Sequence, residues 1–434
     1  MKAGKTVHII LLLMLAVYVG GTMLSHSRRI QQRASEYVSV IARNALGGSV
    51  NFTGVSMIPP CGVRIEGATL ITPTADTLAY IGVLTARMKI LPLIKGKVEI
   101  SAIRLLNPDI RLSVDSTSGE LNCRYLIDRF RSDSIERKQL DIPNIRANSL
   151  IVKNGRVSFD KPWIPRTDSV FNIAHINLSG FNTYVSIKSL SQDTAAIQIR
   201  DLTFREHSGF ELDGLSGMVY AGPHSATISR MRMELPDGRL CMDHLGIGAG
   251  FTAKTLKDVP MSISINDSYI NPSDFRMLLP QLCQSDDRIS IVVEAAGDSR
   301  HTVINRISLE SEGKEFGLKI GGIADNIPDS ISLRNFTIDL NAGRTMIPWA
   351  NRVLEGFGIS LPQYLTKAGS ISASMICNGT PSENRTTCTI RTDNAGSVAV
   401  TFTSGNGVRK ASLHTVGLNL GNVTDDIGLG RADI

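Results

Sequence analysis

The chain has 434 residues, enough for two or three ordinary domains, and 42% of them are hydrophobic, so burial does not limit folding. Only 5% are aromatic, with two tryptophans, which argues against a stacking platform for sugars or bases and for aliphatic packing. The net charge of +6 is spread along the chain, and no Lys/Arg block beyond Arg28, Arg29 and Arg33 marks a nucleic-acid partner.

The first element is the apolar run Val7 to Leu24. At about 1.5 Å per residue it reaches about 27 Å, enough for a hydrocarbon core. Two readings fit it: an uncleaved transmembrane anchor with residues 1–6 as a cytoplasmic tip, or a signal peptide with Lys2 and Lys5 as its basic region and Gly20 and Gly21 near its cleavage site. The length of the run favours the anchor. Residues 25–48 follow with Ile30, Tyr37, Val38 and Ile41 at helical spacing and Gly47 and Gly48 as a stop, which predicts an amphipathic helix.

From Val50 onward the dominant period is two. Ile110, Leu112 and Val114 alternate with polar residues, as do Met261, Ile263 and Ile265, and again Val398, Val400 and Phe402. These runs predict strands with one apolar and one polar face. Asn154-Gly155, Asp237-Gly238 and Gly405-Asn406-Gly407 read as hairpin turns, so consecutive strands should pair antiparallel, and no βαβ alternation suggests a parallel sheet. Short helices are expected only in LNCRYLIDRF, SDFRMLLPQL, TMIPWANRVLEGF and LPQYLTK. Arg131 to Gln139 and Gly246 to Phe251 are candidate seams.

Six cysteines show no CxxC and no histidine at zinc-site spacing, so no metal is expected. Cys377 and Cys388 flank the loop NGTPSENRTT, and a symmetric hairpin would set them opposite one another, as a disulfide or as two small buried residues. The eight histidines are isolated, and no GxSxG elbow, P-loop or dinucleotide fingerprint occurs, so no catalytic residue and no cofactor is assigned.

One resemblance is carried by LPLIKGKVEI at Leu91 to Ile100, LLNPDIRL at Leu105 to Leu112, and Gly119 through Asn122, which together are similar to the N-terminal pattern of AsmA-like proteins. GFELDGLSGMVY, SYINPSDFRMLLPQL, ISLPQYLTKAG and GLNLGNVTDDIGLG resemble the TamB-type translocation and assembly proteins of Bacteroidetes. The resemblance implies a single-pass protein of the inner membrane whose periplasmic body curls into an apolar-lined groove. It implies phospholipid as cargo and a β-barrel assembly partner in the outer membrane. Residues 49–130 would be the AsmA-like β region and 131–434 the extended groove, the chain stopping short of the C-terminal β domain that TamB-type proteins carry.

The fold class expected is therefore mostly β: an N-terminal transmembrane helix, then an elongated, curled, groove-like antiparallel sheet with a few short helices. A sandwich whose apolar faces bury each other satisfies the alternation equally. In the groove reading the apolar triplets above line the groove, and the protein is a non-enzymatic factor of envelope biogenesis. The alternative is a scaffold that templates strands of outer-membrane proteins by edge pairing, without lipid transport.

Overall fold

A computed structural model describes residues 36, 49–58, 61–89, 100–131, 148–167, 170–190, 194–248, 259–278, 287–327, 330–355, 369–419, 421 and 430–432. The protein is mostly β. The expected cytoplasmic tip, the Val7 to Leu24 anchor and LPQYLTK lie outside the described residues, as does all but one residue of the 25–48 helix. Among the described residues no helix is long and apolar enough to cross a membrane. The described residues form two compact units, one reaching Leu190 and resuming over Ala196–Leu212, the other running on from Asp213.

In the first unit β1 (Ser49–Asn51) and β2 (Gly54–Ile58) pair in succession along β3 (Gly62–Ile71), which pairs with β4 (Thr77–Met88), and that with β5 (Ile100–Ser113), all antiparallel. The next pairing departs from the antiparallel expectation. β5 joins β6 (Ser149–Asp160) in parallel, Ala102 opposite Ser149 and Ser113 opposite Asp160. A parallel neighbour needs a long crossover, and the stretch between them supplies one that contains helix α1 (Arg124–Arg131). LNCRYLIDRF thus forms the predicted helix, tied by the Arg124–Asp128 ion pair one turn apart at 3.0 Å, but it serves a connection that alternation alone did not reveal. β7 (His175–Leu190) returns antiparallel to β6, and β8 (Ala195–Glu206) pairs with β9 (Glu211–Leu212).

The second unit is a meander. β10 (Gly214–Ala221), β11 (Ser225–Glu234), β12 (Arg239–Gly248), β13 (Met261–Ile270), β14 (Ile289–Gly297) and β15 (His301–Ser311) pair each with the next. β16 (Phe316–Asp325), β17 (Ser332–Ala342), β18 (Ile371–Gly379), β19 (Asn384–Thr392), β20 (Gly396–Gly405) and β21 (Val408–Val416) continue in the same way. A sandwich would send successive strands to two sheets, and these stay in one. β22 (Leu418–Asn419) and β23 (Arg431–Ala432) form a separate short pair. Helix α2 (Met346–Glu355) lies between β17 and β18, within the predicted TMIPWANRVLEGF, and buries Met346 and Ile347. Its Pro348 sits in the first turn, where a missing N–H costs nothing. The described part of SDFRMLLPQL contributes a 3-10 turn, Pro272–Phe275, capped by Asn271, whose side chain accepts from Ser273 N–H.

Two of the three predicted turns are hairpins: Asp237-Gly238 joins β11 to β12, and Asn406-Gly407, both left-handed, joins β20 to β21. Asn154-Gly155 is not a turn. Asn154 sits in the middle of β6 with φ 53°, its side-chain amide donating to Asn107 Oδ1 at 2.8 Å and its N–H to Asn182 Oδ1 at 2.9 Å. Both sites need a left-handed backbone, so the same dipeptide suits a hairpin or a kinked strand.

Candidate functional site

The kink in β6 belongs to a file. Gly67 in β3 (φ 60°), Asn107 in β5 (φ 49°), Asn154 in β6 and Gly180 in β7 (φ 60°) are left-handed, and register places Gly82 of β4 between Gly67 and Asn107. The apolar alternation slips by one residue across this crease. In β5 Ile103 and Leu105 give way to Ile110 and Leu112; in β6 Leu150 and Val152 give way to Val157 and Phe159. A one-residue slip alone would turn every later side chain to the opposite face; coupled to the kink, it keeps one face apolar along the whole strand.

Register shows that face directly. Met57, Val63, Ala86, Ile103, Leu150 and Val185 stand opposite one another across six strands, and beyond the crease Ala79, Ile110, Val157 and Leu178 do the same. The row on the opposite face is Arg64, Thr85, Arg104, Ile151 and Tyr184. In the second unit one row runs unbroken from β11 to β21: Met231, Met242, Ile265, Val293, Ile307, Ile320, Ile338, Met375, Cys388, Val400 and Leu413. A polar row stands on the other face, Ser308, Lys319, Asp339, Ser374 and Thr389.

Most of these apolar side chains are only half-buried. Among the described residues the buried apolar ones are few, among them Leu78, Val152 and Leu212 in the first unit and Leu235, Met346 and Ile347 in the second. Among the described residues this aliphatic surface is left half-covered and is not closed into a core.

Of the residues singled out by alternation, Ile265 and Val400 fall on the eleven-strand row, and Ile263 and Val398 lie on neighbouring rows with Leu245 and Ile390. Phe402 pairs with Thr386 and Ala411, and Met261, 36% exposed, begins β13. Ile110 and Leu112 lie on the apolar face of the first unit, and Val114, just past β5, bridges Leu121 and donates its N–H to the Asp160 carbonyl at 3.1 Å. The structure does not bring these residues to one point; it strings them along rows. Cys377 and Cys388 are free thiols. The hairpin register sets Cys377 against Thr386 and Cys388 against Met375, so the two cysteines are diagonal neighbours, at about 7–8 Å, rather than facing partners. The loop is shorter than its polar sequence suggests, because β19 already begins at Asn384.

Side-chain clusters elsewhere serve the backbone. His175 holds Asp160 through Nδ1 at 2.5 Å and the Ile164 carbonyl through Nε2 at 2.6 Å, and Arg166 reaches Asp160 at 3.0 Å. Burial works against ionisation of Asp160, but the hydrogen bonds and charges of His175 and Arg166 outweigh it and hold the carboxyl below its ordinary range. His301 and Arg334 treat Asp325 in the same way, the His301 hydrogen bond leading. Burial pushes Asp274 upward against one hydrogen bond from Asp237 N–H at 3.2 Å. Among the described residues no three His, Cys, Asp or Glu side chains converge as a metal cage would require. A polar hollow of about 300 Å³ at the end of β17, β18 and β19 is lined by both signs of charge, Lys314 and Arg391 with Glu315 and Asp393.

Fold and site together define a class, mostly-β proteins that present a long, continuous apolar sheet face. Compared with protein-family models, curated proteins and solved structures, the chain matches none.

Proposed function

We propose that the protein is a non-enzymatic factor of envelope biogenesis, anchored in the inner membrane by Val7 to Leu24, whose periplasmic sheet curls into a groove that holds phospholipid acyl chains. In this role it conducts lipid along the sheet and supports assembly or secretion of outer-membrane proteins beside a β-barrel partner. The observation that carries the reading is the apolar row from Met231 to Leu413. Its ten strand spacings of about 4.8 Å make a track of roughly 48 Å, about three times the half-thickness of a bilayer core. Each methylene of a chain laid there gains about 0.8 kcal/mol.

A photo-crosslinking amino acid at Ile320, on the row, should give phospholipid adducts in cells, and the same probe at Lys319, on the polar face, should not. An Ile320 probe that captures no lipid would overturn the reading. The second reading, strand templating, draws on β21, which pairs only with β20 among the described residues and is exposed along most of its length. Arg409 and Lys410 guard that edge, as charges commonly do against indiscriminate pairing. Adducts from Ser412 to a nascent barrel strand, without lipid adducts at Ile320, would favour it.

A further inference from the structure

The connection from β6 to β7 carries three large apolar side chains in the open: Trp163 is 49% exposed, Val170 37% and Ile173 72%. Unsupported, such residues fold back onto the nearest apolar surface. Here they are held out. Lys161 N–H bonds the Ala174 carbonyl at 2.9 Å and closes the base, and Ala174 is buried there. His175 and Arg166 fasten the near side to Asp160, and His175 also takes the Ile164 carbonyl. Asn172 spans the loop, its amide donating to the Pro165 carbonyl and to Thr167 Oγ1, both at 3.2 Å. A pre-ordered apolar tip loses little freedom when it meets a partner.

Topology indicates what it meets. Ser49, where the chain enters the sheet, pairs with Ile71, and Ile71 with Thr77; β5 and β6 then finish side by side at Ser113 and Asp160. The incoming chain and the apolar tip therefore occupy the same end of the first unit's sheet, four strand spacings apart, roughly 19 Å. In the sequence that end is preceded, across residues 25–48, by Val7 to Leu24, the segment long and apolar enough to span a bilayer. Tryptophan beside aliphatic residues, with its indole N–H free to meet headgroups, suits a membrane interface. We infer that Trp163, Val170 and Ile173 insert into the interface of the bilayer that holds the anchor and seat this end of the sheet upon it. The partner is the phospholipid surface itself. The inference rests on the anchored reading given above.

The test uses the full chain carrying Trp349→Phe, which leaves Trp163 the sole tryptophan of the two. It is reconstituted into vesicles of phosphatidylethanolamine and phosphatidylglycerol, some of the lipid brominated near the headgroup end of its acyl chains. The expected result is vesicle flotation with Trp163 emission quenched at least twofold, and the quenching lost on adding Ile173→Asp and Val170→Asp. Flotation without quenching would overturn the inference and leave the anchor standing. Equal quenching with and without the two aspartates would overturn it too, because tethering alone would then bring the indole close. A chain that does not float would overturn both readings.

Discussion

Strands β3 to β7 and strands β18 to β21 are built from the same alternation of aliphatic and polar residues, yet they solve different geometric problems. The first group carries a file of left-handed Gly and Asn residues, and its apolar phase slips by one as it crosses that file. In the second group the ladders from Ile371 to Val416 run without a register shift, and Ile371, Ala373, Met375 and Cys377 keep one phase throughout. Between them, β10 to β17 repeat the crease with other residues: Arg230, Asp267, Gly322 and Asn335 have positive φ, and register shifts accompany nearly every ladder. A phase slip in an amphipathic strand is thus the written form of a bend. Where it is absent the ladders keep their register.

The difference can be broken most severely at Gly322. Its φ is 129°, and an added Cβ would stand 2.6 Å from Phe336 Cα and 2.7 Å from the Asn335 carbonyl. Gly322→Ala should cost roughly 3 kcal/mol or more in urea denaturation followed by circular dichroism. Gly405→Ala, in the region without register shifts and with nothing nearer than 3.8 Å, should stay within about 0.5 kcal/mol. Equal effects would mean that the crease stores no special backbone. A middle-sized effect is expected at Asn107, where Asn107→Val puts a β-branched residue at φ 49° and removes the bond from Asn154, for a loss of about 2 kcal/mol. Asn107→Gly keeps the backbone free and should lose about 1 kcal/mol; a larger loss than the valine variant would refute the strain argument.

The smallest expected effect is acidic. Asp160 and Asp325 have folded pKa values lowered from the ordinary 3.8, so their contribution is present above that value and is lost as pH falls through the folded one. In the Trp349→Phe protein, Trp163 emission should hold steady down to about pH 4 and change below it as the clasp on Asp160 is protonated. A transition in that emission near neutrality, with none in acid, would show that Asp160 does not hold the loop.

Much of this was legible. Alternation located the strands and their apolar faces, and the helices around Leu126 and Trp349 fell within predicted stretches. Asn154-Gly155 misled because the dipeptide specifies a left-handed backbone and not what that backbone is for; the phase of Val152 and Val157 on either side was the signal that distinguished bend from turn. The parallel joint was hidden because a strand's face pattern is indifferent to the direction of its neighbour. The cysteine spacing misled because facing positions depend on where the hairpin begins, at Gly379 and Asn384, two positions of register away from a match. The apolar tip at Trp163 escaped alternation altogether, though five large apolar residues in one connection, KPWIPRTDSVFNI, were there to be noticed.

The parallel joint also sets a clock. Many partners in the second unit, such as β10 with β11 or β20 with β21, are joined by short turns and can meet as soon as the second strand is made; β17 and β18, with residues 343–370 between them, are the longest-separated pair there. β5 has no such neighbour on its far side: Ala102 must wait for Ser149, and Ser113 for Asp160, before the edge it exposes is covered. The wait is 47 residues along the whole of β5, whereas along β17 it falls from 46 residues at Leu333 to 29 at Ala342, so during synthesis Ile100–Ser113 is an open, apolar edge over its full length until β6 is made. Chaperone demand in this chain should be concentrated there, early, and end when residue 160 emerges.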